Sequence, residues 1–309
     1  MSMQRRFSLL YVGLITFGLV GCGGGGGGET LPSTSLSFPS NSVLAEPTID
    51  NGKKVKNSVD TDPSSGLFAM NSVNKKDGLN VALLSTNITK NISNKKIKIY
   101  SLNDASPETY ECSDSGTYTQ DINGDNSKVY ATISYNNCVE DGVTMDGTIS
   151  ATLLNYDSIN ETFQKGSFKF STDFNEVVGS ETVKIAKNSY INYELLDNTI
   201  KLLLTIIAED NTQKYGIKDS EYYYTEESNG DISMYQTKGD LYINNLDSYV
   251  TFDKDYNMSA TPFIYSNERL ISGEARYNMA RGKVKIIVEN GTPKTYIDQD
   301  GDGTFELSE

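Results

Sequence analysis

From Lys96 onward the apolar residues fall on every second position rather than on every third or fourth. Lys96-Ile97-Lys98-Ile99-Tyr100, Val129-Tyr130-Ala131-Thr132-Ile133-Ser134-Tyr135 and Gly166-Ser167-Phe168-Lys169-Phe170 all alternate. Alternation of this kind places one row of side chains on each face of a pleated strand. Similar segments fit at 147–156, 182–187, 189–196, 199–208, 221–226, 231–237, 240–244, 248–253, 261–265, 269–277, 283–289 and 294–298, about fifteen in all. Turn pairs such as Asn123-Gly124, Asp141-Gly142, Asn229-Gly230 and Asn290-Gly291 separate them. Parallel pairing needs crossovers of roughly a dozen residues or more, and the gaps are too short for that. The pattern therefore predicts a mainly β chain, an antiparallel meander forming a curved sheet or partly open barrel. The most apolar run, Leu202 to Ala208, is expected at its centre, buried on both faces. Ahead of the strands, Leu67, Met70, Val73, Val81, Leu84, Ile88 and Ile92 recur mostly at steps of three and four. That spacing predicts an N-terminal amphipathic helix region over 67–93, interrupted at Asp77-Gly78.

The first residues carry a different message. Arg5 and Arg6 precede a 14-residue apolar stretch from Phe7 to Val20, too short to span a bilayer as a mature helix. It ends in Leu19-Val20-Gly21-Cys22, which resembles the lipobox of bacterial lipoproteins. The resemblance implies cleavage after Gly21, lipid modification of Cys22 and anchoring of the new N-terminus in a membrane. The residue after Cys22 is Gly23 rather than Asp, which by the same resemblance implies the outer membrane of a Gram-negative cell. Six glycines, Gly23 to Gly28, then form a leash with no preferred conformation. Ser, Pro, Asn and Asp dominate up to about residue 65, so 22–65 reads as a flexible tether and 66–309 as a single β-rich domain.

Composition removes whole classes of chemistry. The chain has 309 residues and no His, which excludes Ser-His-Asp and Cys-His catalysis, imidazole metal sites and histidine pH switches. Its net charge of −14 repels phosphate backbones, so nucleic acid is not an expected partner. No arrangement of residues reads as an enzyme centre.

Of the three cysteines, lipidation of Cys22 leaves Cys112 and Cys138 as an even pair. An exported body meets an oxidising compartment, so a disulfide is expected. The alternatives are a redox pair, which normally has closer spacing, or a soft metal site, which lacks further ligands. The surrounding run, from Cys112 and Gly116 through Tyr135-Asn136-Asn137-Cys138-Val139-Glu140-Asp141-Gly142 to Asp146-Gly147, resembles a pattern in β-rich lipoproteins of marine and epsilon-type Gram-negative bacteria. That resemblance implies a bridged β-domain and carries no activity. At the level of architecture alone, a helix followed by a meander resembles the carriers that sort lipoproteins.

The one constellation with metal chemistry closes the chain. Asp298-Gln299-Asp300-Gly301-Asp302-Gly303-Thr304-Phe305-Glu306-Leu307-Ser308-Glu309 resembles an EF-hand calcium loop. Carboxylates stand at loop positions 1, 3, 5, 9 and 12, and glycine at 6. The expected ligands are Asp298, Asp300, Asp302, the Thr304 carbonyl, Glu306 and Glu309, with calcium as the cofactor. Phe305 at position 8, and a strand rather than a helix before the loop, depart from the EF-hand pattern. The alternative is a solvated acidic turn closing the last hairpin. Asp121-Ile122-Asn123-Gly124-Asp125-Asn126 echoes the loop but lacks the later acid and reads as a turn.

Weaker patterns complete the reading. Tyr222, Tyr223 and Tyr224, with Tyr215, Tyr235 and Tyr242, would offer a sugar-stacking face, but tyrosine also simply covers sheets. Glu226 with Glu227, and Asp253 with Asp255, are acid pairs expected by chance in a chain with 41 acids. Asp255-Tyr256-Asn257-Met258-Ser259 matches the acidic sequon of bacterial N-glycosylation. The expected function is a non-enzymatic, membrane-anchored envelope lipoprotein, a structural or interaction module stabilised by calcium, with an envelope protein or a lipid as partner. A carrier of lipid or another apolar ligand in an open barrel is the second reading, and a glycan-binding or glycan-hydrolysing surface protein a remote third.

Overall fold

The computed structural model describes residues 36–59, 107–124, 127–140, 142–157, 162–179, 181–209, 214–266 and 269–308. The signal segment, Cys22, the glycine run, the helix expected over 67–93, the strand at 96–100 and Glu309 lie outside the described residues.

The body is a mainly β, antiparallel meander. It starts with β2 (Glu108–Glu111), β3 (Ser115–Gly124), β4 (Lys128–Glu140) and β5 (Val143–Asp157), each paired with the next. The next two rungs are broken. β6 (Thr162–Phe170) and β7 (Phe174–Val178) both pair with β5, one after the other along its length. β8 (Glu181–Ile185) pairs with β7, and β9 (Tyr190–Leu196) with β6. β10 (Thr199–Glu209) reunites them, pairing with β9 at Thr199–Thr205 and with β8 at Ala208–Glu209.

β11 (Lys214–Glu226) and β12 (Ile232–Ile243) follow, and then a third broken rung, β13 (Ser248–Phe252) and β14 (Phe263–Ser266). The meander finishes with β15 (Arg269–Asn278), β16 (Lys283–Glu289), β17 (Thr292–Asp298) and β18 (Glu306–Leu307). Within the described residues β2 pairs only with β3 and β18 only with β17, so the curl does not close into a barrel.

Register shifts bend the sheet where it curls. They fall between β10 and β11 at Leu204/Ile206 and between β11 and β12 across Lys218, Glu221 and Tyr222, with others between β3 and β4, β4 and β5, and β14 and β15. A bulge inserts an extra residue, increases local twist and hands the inward row from one parity to the other. The inward row changes parity on β11, from Ile217 to Tyr222, and on β12, from Met234 to Leu241, while Leu204 and Ile206 on β10 keep theirs; all six join one core with Phe168, Phe170, Phe174, Ile286 and Ile297. β10 sits mid-sheet as its composition predicts. Leu204, Ile206 and Ala208 face the main core, while Ile207 packs on the other face with Leu36, Ala186, Tyr242 and Leu246.

One expectation is corrected. Residues 36–59, assigned by composition to the tether, fold onto the body. Leu36 and Phe38 pack against Tyr242 on the outer face. β1 (Val43–Leu44) then pairs in parallel with Ser248 and Tyr249 of β13, beside the end of β15. The chain turns at Glu46-Pro47 into α1 (Ile49–Val59), where the Thr48 hydroxyl caps the first turn by accepting the Asn51 N–H at 3.2 Å. α1 lies inside the curl against β12, β16 and β17, with Val55 fully buried. The face that packs is marked in sequence by Gly52 as much as by Val55. A Cβ at residue 52 would stand 2.6 Å from Ile297 Cδ1, so the closest point of contact carries no side chain to register as apolar.

Cys112 and Cys138 form a disulfide with Cα atoms 5.5 Å apart, tying the β2–β3 turn to a bulge in β4. The residues of the lipoprotein-like pattern build this corner. Asn137 adopts a positive φ of 45°, which brings its carbonyl against Gly116. A Cβ on Gly116 would stand 1.9 Å from that oxygen, and its own φ of 76° further disfavours any other residue. The Asp114 carboxylate accepts the Gly142 N–H at 3.3 Å across the same corner.

Candidate functional site

The acidic loop is held at the end of β17 from three sides. Asp298 is the last residue of that strand and is 2% exposed. β18 returns antiparallel, with Ile297 opposite Glu306 and Tyr296 opposite Leu307, and the Ser308 N–H donates to the Thr295 carbonyl at 2.8 Å. Beneath the loop lies the turn between β15 and β16. Gly282 is so close that a Cβ there would stand 1.9 Å from the Asp298 carbonyl oxygen, and one on Gly301 would stand 2.6 Å from the Arg281 oxygen. Gly301 has φ 81°, a conformation that a residue with a Cβ adopts only under strain. The Arg281 guanidinium in turn binds Glu46 of the N-terminal strap at 2.9 Å. Phe305 covers the outer face of the sheet, its ring 4.6 Å from the Lys285 ammonium and 5.8 Å from the Arg276 guanidinium. The residue that departs from the EF-hand pattern is thus the one that fastens the loop to a β-sheet.

Inside the loop, backbone N–H groups orient each carboxylate. Asp298 accepts Gly301 N–H at 2.8 Å and Gly303 N–H at 3.2 Å, one on each oxygen. Asp300 accepts the Asp302 N–H at 3.2 Å, and Asp302 accepts the Thr304 N–H at 2.6 Å. The Thr304 backbone N–H, then its hydroxyl, hold the Asp302 carboxyl below the usual carboxylate range. Oxygens of Asp298, Asp300 and Asp302 all lie within 4.8 Å of one another. Each carboxylate oxygen has two lone pairs, so one N–H bond leaves it able to bind a cation.

Of the six expected ligands, the structure brings Asp298, Asp300 and Asp302 together. Thr304 follows them in the loop and directs its N–H at Asp302. Glu306 does not join the cluster; it is taken into β18, exposed, opposite Ile297. Glu309 lies outside the described residues. Three converging carboxylates are hard oxygen donors of the kind a cation taking six to eight oxygen ligands requires. Cys112, Cys138 and Glu140 also cluster, but the bridge consumes both thiols and removes them as metal ligands.

The other candidates resolve into structure. Tyr222 and Tyr224 face the core, whereas Tyr223 points outward and stacks on Tyr235 at 4.9 Å and 7°. Tyr242 is buried under Phe38. These tyrosines therefore divide between two faces and pack on other aromatic rings rather than forming a platform, while the Tyr215 side chain lies outside the described residues. Asp253 is buried and paired with Lys283 at 2.7 Å, and Glu227 accepts the Ser233 hydroxyl at 2.8 Å. Asp121 pairs with the Asn123 side chain at 2.7 Å at the end of β3.

Two inner-face polar residues escaped the sequence reading. Gln120, 4% exposed, has no partner among the described residues for either end of its amide. Glu176 stands on β7 between Met145 of β5 and Val183 of β8, on the same side of the strand as Phe174. Burial among these apolar neighbours pushes its carboxyl up to about 7. The signal was present in the alternation itself, since Glu176 is two residues from Phe174.

For an acid with a raised folded pKa, folding favours the protonated form. The stability is complete below the unfolded value of 4.5 and is lost as pH rises through about 7. Between pH 5 and pH 8 the urea unfolding free energy should fall by about 1–2 kcal/mol, allowing for the partial exposure of the residue. Glu176→Gln should abolish that fall, and an unchanged pH profile in this variant would remove Glu176 as its source.

No protein-family model, no curated protein and no solved structure matches this chain.

Proposed function

We propose that this chain is a non-enzymatic, lipid-anchored protein of the Gram-negative envelope, a rigid β-body that presents surfaces to partners and is stabilised by calcium. The observation that carries the reading is the seating of α1. Among the described residues the curl of β12–β17 is filled by Val55 and the sheet's own side chains, which supports a packed core over a ligand chamber in this half of the sheet. That favours an interaction module over a carrier. The lipobox-like Leu19-Val20-Gly21-Cys22 and the glycine run that follows supply the anchor and its leash. No described helix is long and apolar enough to cross a membrane. The lipobox resemblance assigns attachment to acyl chains on Cys22, and two or more such chains hold stably where one is marginal.

Calcium fits the donor set of the C-terminal loop. Bound there, it would neutralise the mutual repulsion of Asp298, Asp300 and Asp302 and clamp the last hairpin. The turn beneath it carries Arg281, so the clamp also bears on the strap that leads to the anchor.

The test is native mass spectrometry of the mature chain with and without a chelator. A single calcium adduct lost on chelation, and lost in Asp300→Ala/Asp302→Ala, supports the reading. No adduct at millimolar calcium reduces the loop to a solvated turn. At calcium about five times the dissociation constant, binding should add roughly 1 kcal/mol, or about 2–4 °C in melting temperature. Asp298→Ala should abolish that gain. A co-purified apolar ligand would instead favour the carrier. Acylation is read separately, as a lipid mass on Cys22 that vanishes in Cys22→Ala.

A further inference from the structure

We propose that Asn257 is an N-glycan acceptor in the exported chain, a reading that rests on the export inferred above. Five Asn-x-Ser/Thr tripeptides occur in the sequence, at Asn87, Asn91, Asn160, Asn257 and Asn290. Asn257 is the one with an acid two residues before it, Asp255. The structure puts this motif where a transferase can reach it. β13 stops at Phe252 and β14 resumes at Phe263, both against β12, and the ten residues between them leave the plane of the sheet. The base of the excursion is pinned by the Asp253–Lys283 pair and by Met258, which is buried. At its apex Asp255, Asn257 and Ser259 are all exposed.

The local geometry presents the reacting atom. The Met258 N–H donates to the Tyr256 carbonyl at 3.2 Å, closing a three-residue turn centred on Asn257, with φ −86° and ψ 84°. The Ser259 hydroxyl donates to Asn257 Oδ1 at 2.7 Å. The bond falls on the oxygen, and among the described residues no hydrogen bond engages Nδ2 of this exposed side chain. A donor on Oδ1 also favours the amide form that has given up an Nδ2 proton. The donor substrate is a polyprenyl-pyrophosphate-linked oligosaccharide, brought by a membrane oligosaccharyltransferase. Nδ2 forms the bond to sugar C1, the C1–oxygen bond to pyrophosphate breaks, polyprenyl pyrophosphate leaves, and the amide proton passes to the enzyme's base.

Asn290 is an internal control. It occupies the hairpin turn between β16 and β17 with φ 52°, and the residue two before it is Val288. The acidic rule leaves it bare.

The experiment is intact-mass and peptide-mapping spectrometry of the full chain extracted from its own cells in detergent. The expected result is one oligosaccharide increment on Asn257 and none on Asn290. The increment should be absent in Asn257→Gln and lost in Asp255→Ala, whose exposed site leaves folding untouched. The same spectrum reports signal cleavage and the lipid on Cys22. A processed, acylated chain with a bare Asn257 overturns the glycan acceptor while leaving the anchor intact. Glycan on Asn290 or retained in Asp255→Ala also overturns it. An unprocessed, unacylated and bare chain overturns the export reading and this one with it.

Discussion

Val55→Asp should lower the unfolding free energy by about 3–5 kcal/mol, the largest effect expected of any single change on the N-terminal strap. Val55 is fully buried on α1, inside the curl, three residues after Gly52, which packs on Thr295 and Ile297. A carboxylate placed there is buried among the apolar side chains of the main core. It must either take up a proton or drive α1 out, and both cost free energy. Val43→Asp is the matched control. Val43 lies on the same strap but is 63% exposed, so its change should stay within about 0.5 kcal/mol. Urea unfolding of the two variants separates the possibilities. Were Val55→Asp as stable as the parent, residues 36–59 would be a tether after all and the interior would need another filling.

Reduction of the Cys112–Cys138 bridge should cost about 3 kcal/mol, the chain-entropy value for a ring of roughly 27 residues. The bridge joins the end of β2, which among the described residues pairs with β3 alone, to a fully buried position, since Cys138 is 0% exposed. Its loss should therefore be felt first at this corner. Hydrogen exchange in the reduced protein should accelerate at β2 and the start of β3 before it rises at β5 or β10. A uniform acceleration would mean that the bridge acts on the whole unfolded ensemble rather than on this corner. Equal stability of the oxidised and reduced forms would show that the native corner is strained enough to cancel the entropy gain.

The strap shows where sequence reasoning reached its limit. Ser, Pro and Asn around it read as linker, and within α1 the apolar residues are Ile49, Val55 and Val59. A helix normally declares its packed face by side chains at three- and four-residue spacing. Here the closest contact is made by glycine, and Ile49 is exposed. The pattern of α1 alone carries no sign that an interior waits to receive it. The acidic loop divides in the same way. Alternate aspartates were legible because a turn brings positions 298, 300 and 302 together by local geometry. Glu306 is expected only from position 9 of the EF-hand-like pattern, and the return of β18 onto β17 takes it elsewhere.

Sequence alone determined the meander. A period of two and short polar turns leave consecutive antiparallel hairpins as the solution, because local chain geometry fixes both. It also determined the bridge, through the even pair of cysteines, and the convergence of three aspartates. Tertiary structure decided how far the sheet curls, since that depends on bulges whose effect sums over β10, β11 and β12. It decided that α1 fills the curl, that Glu176 faces the core with no charge beside it, and that the Asp255–Ser259 motif stands clear of the sheet. Those outcomes arise from contacts between residues far apart in the chain, and a local pattern carries no record of what will lie opposite it.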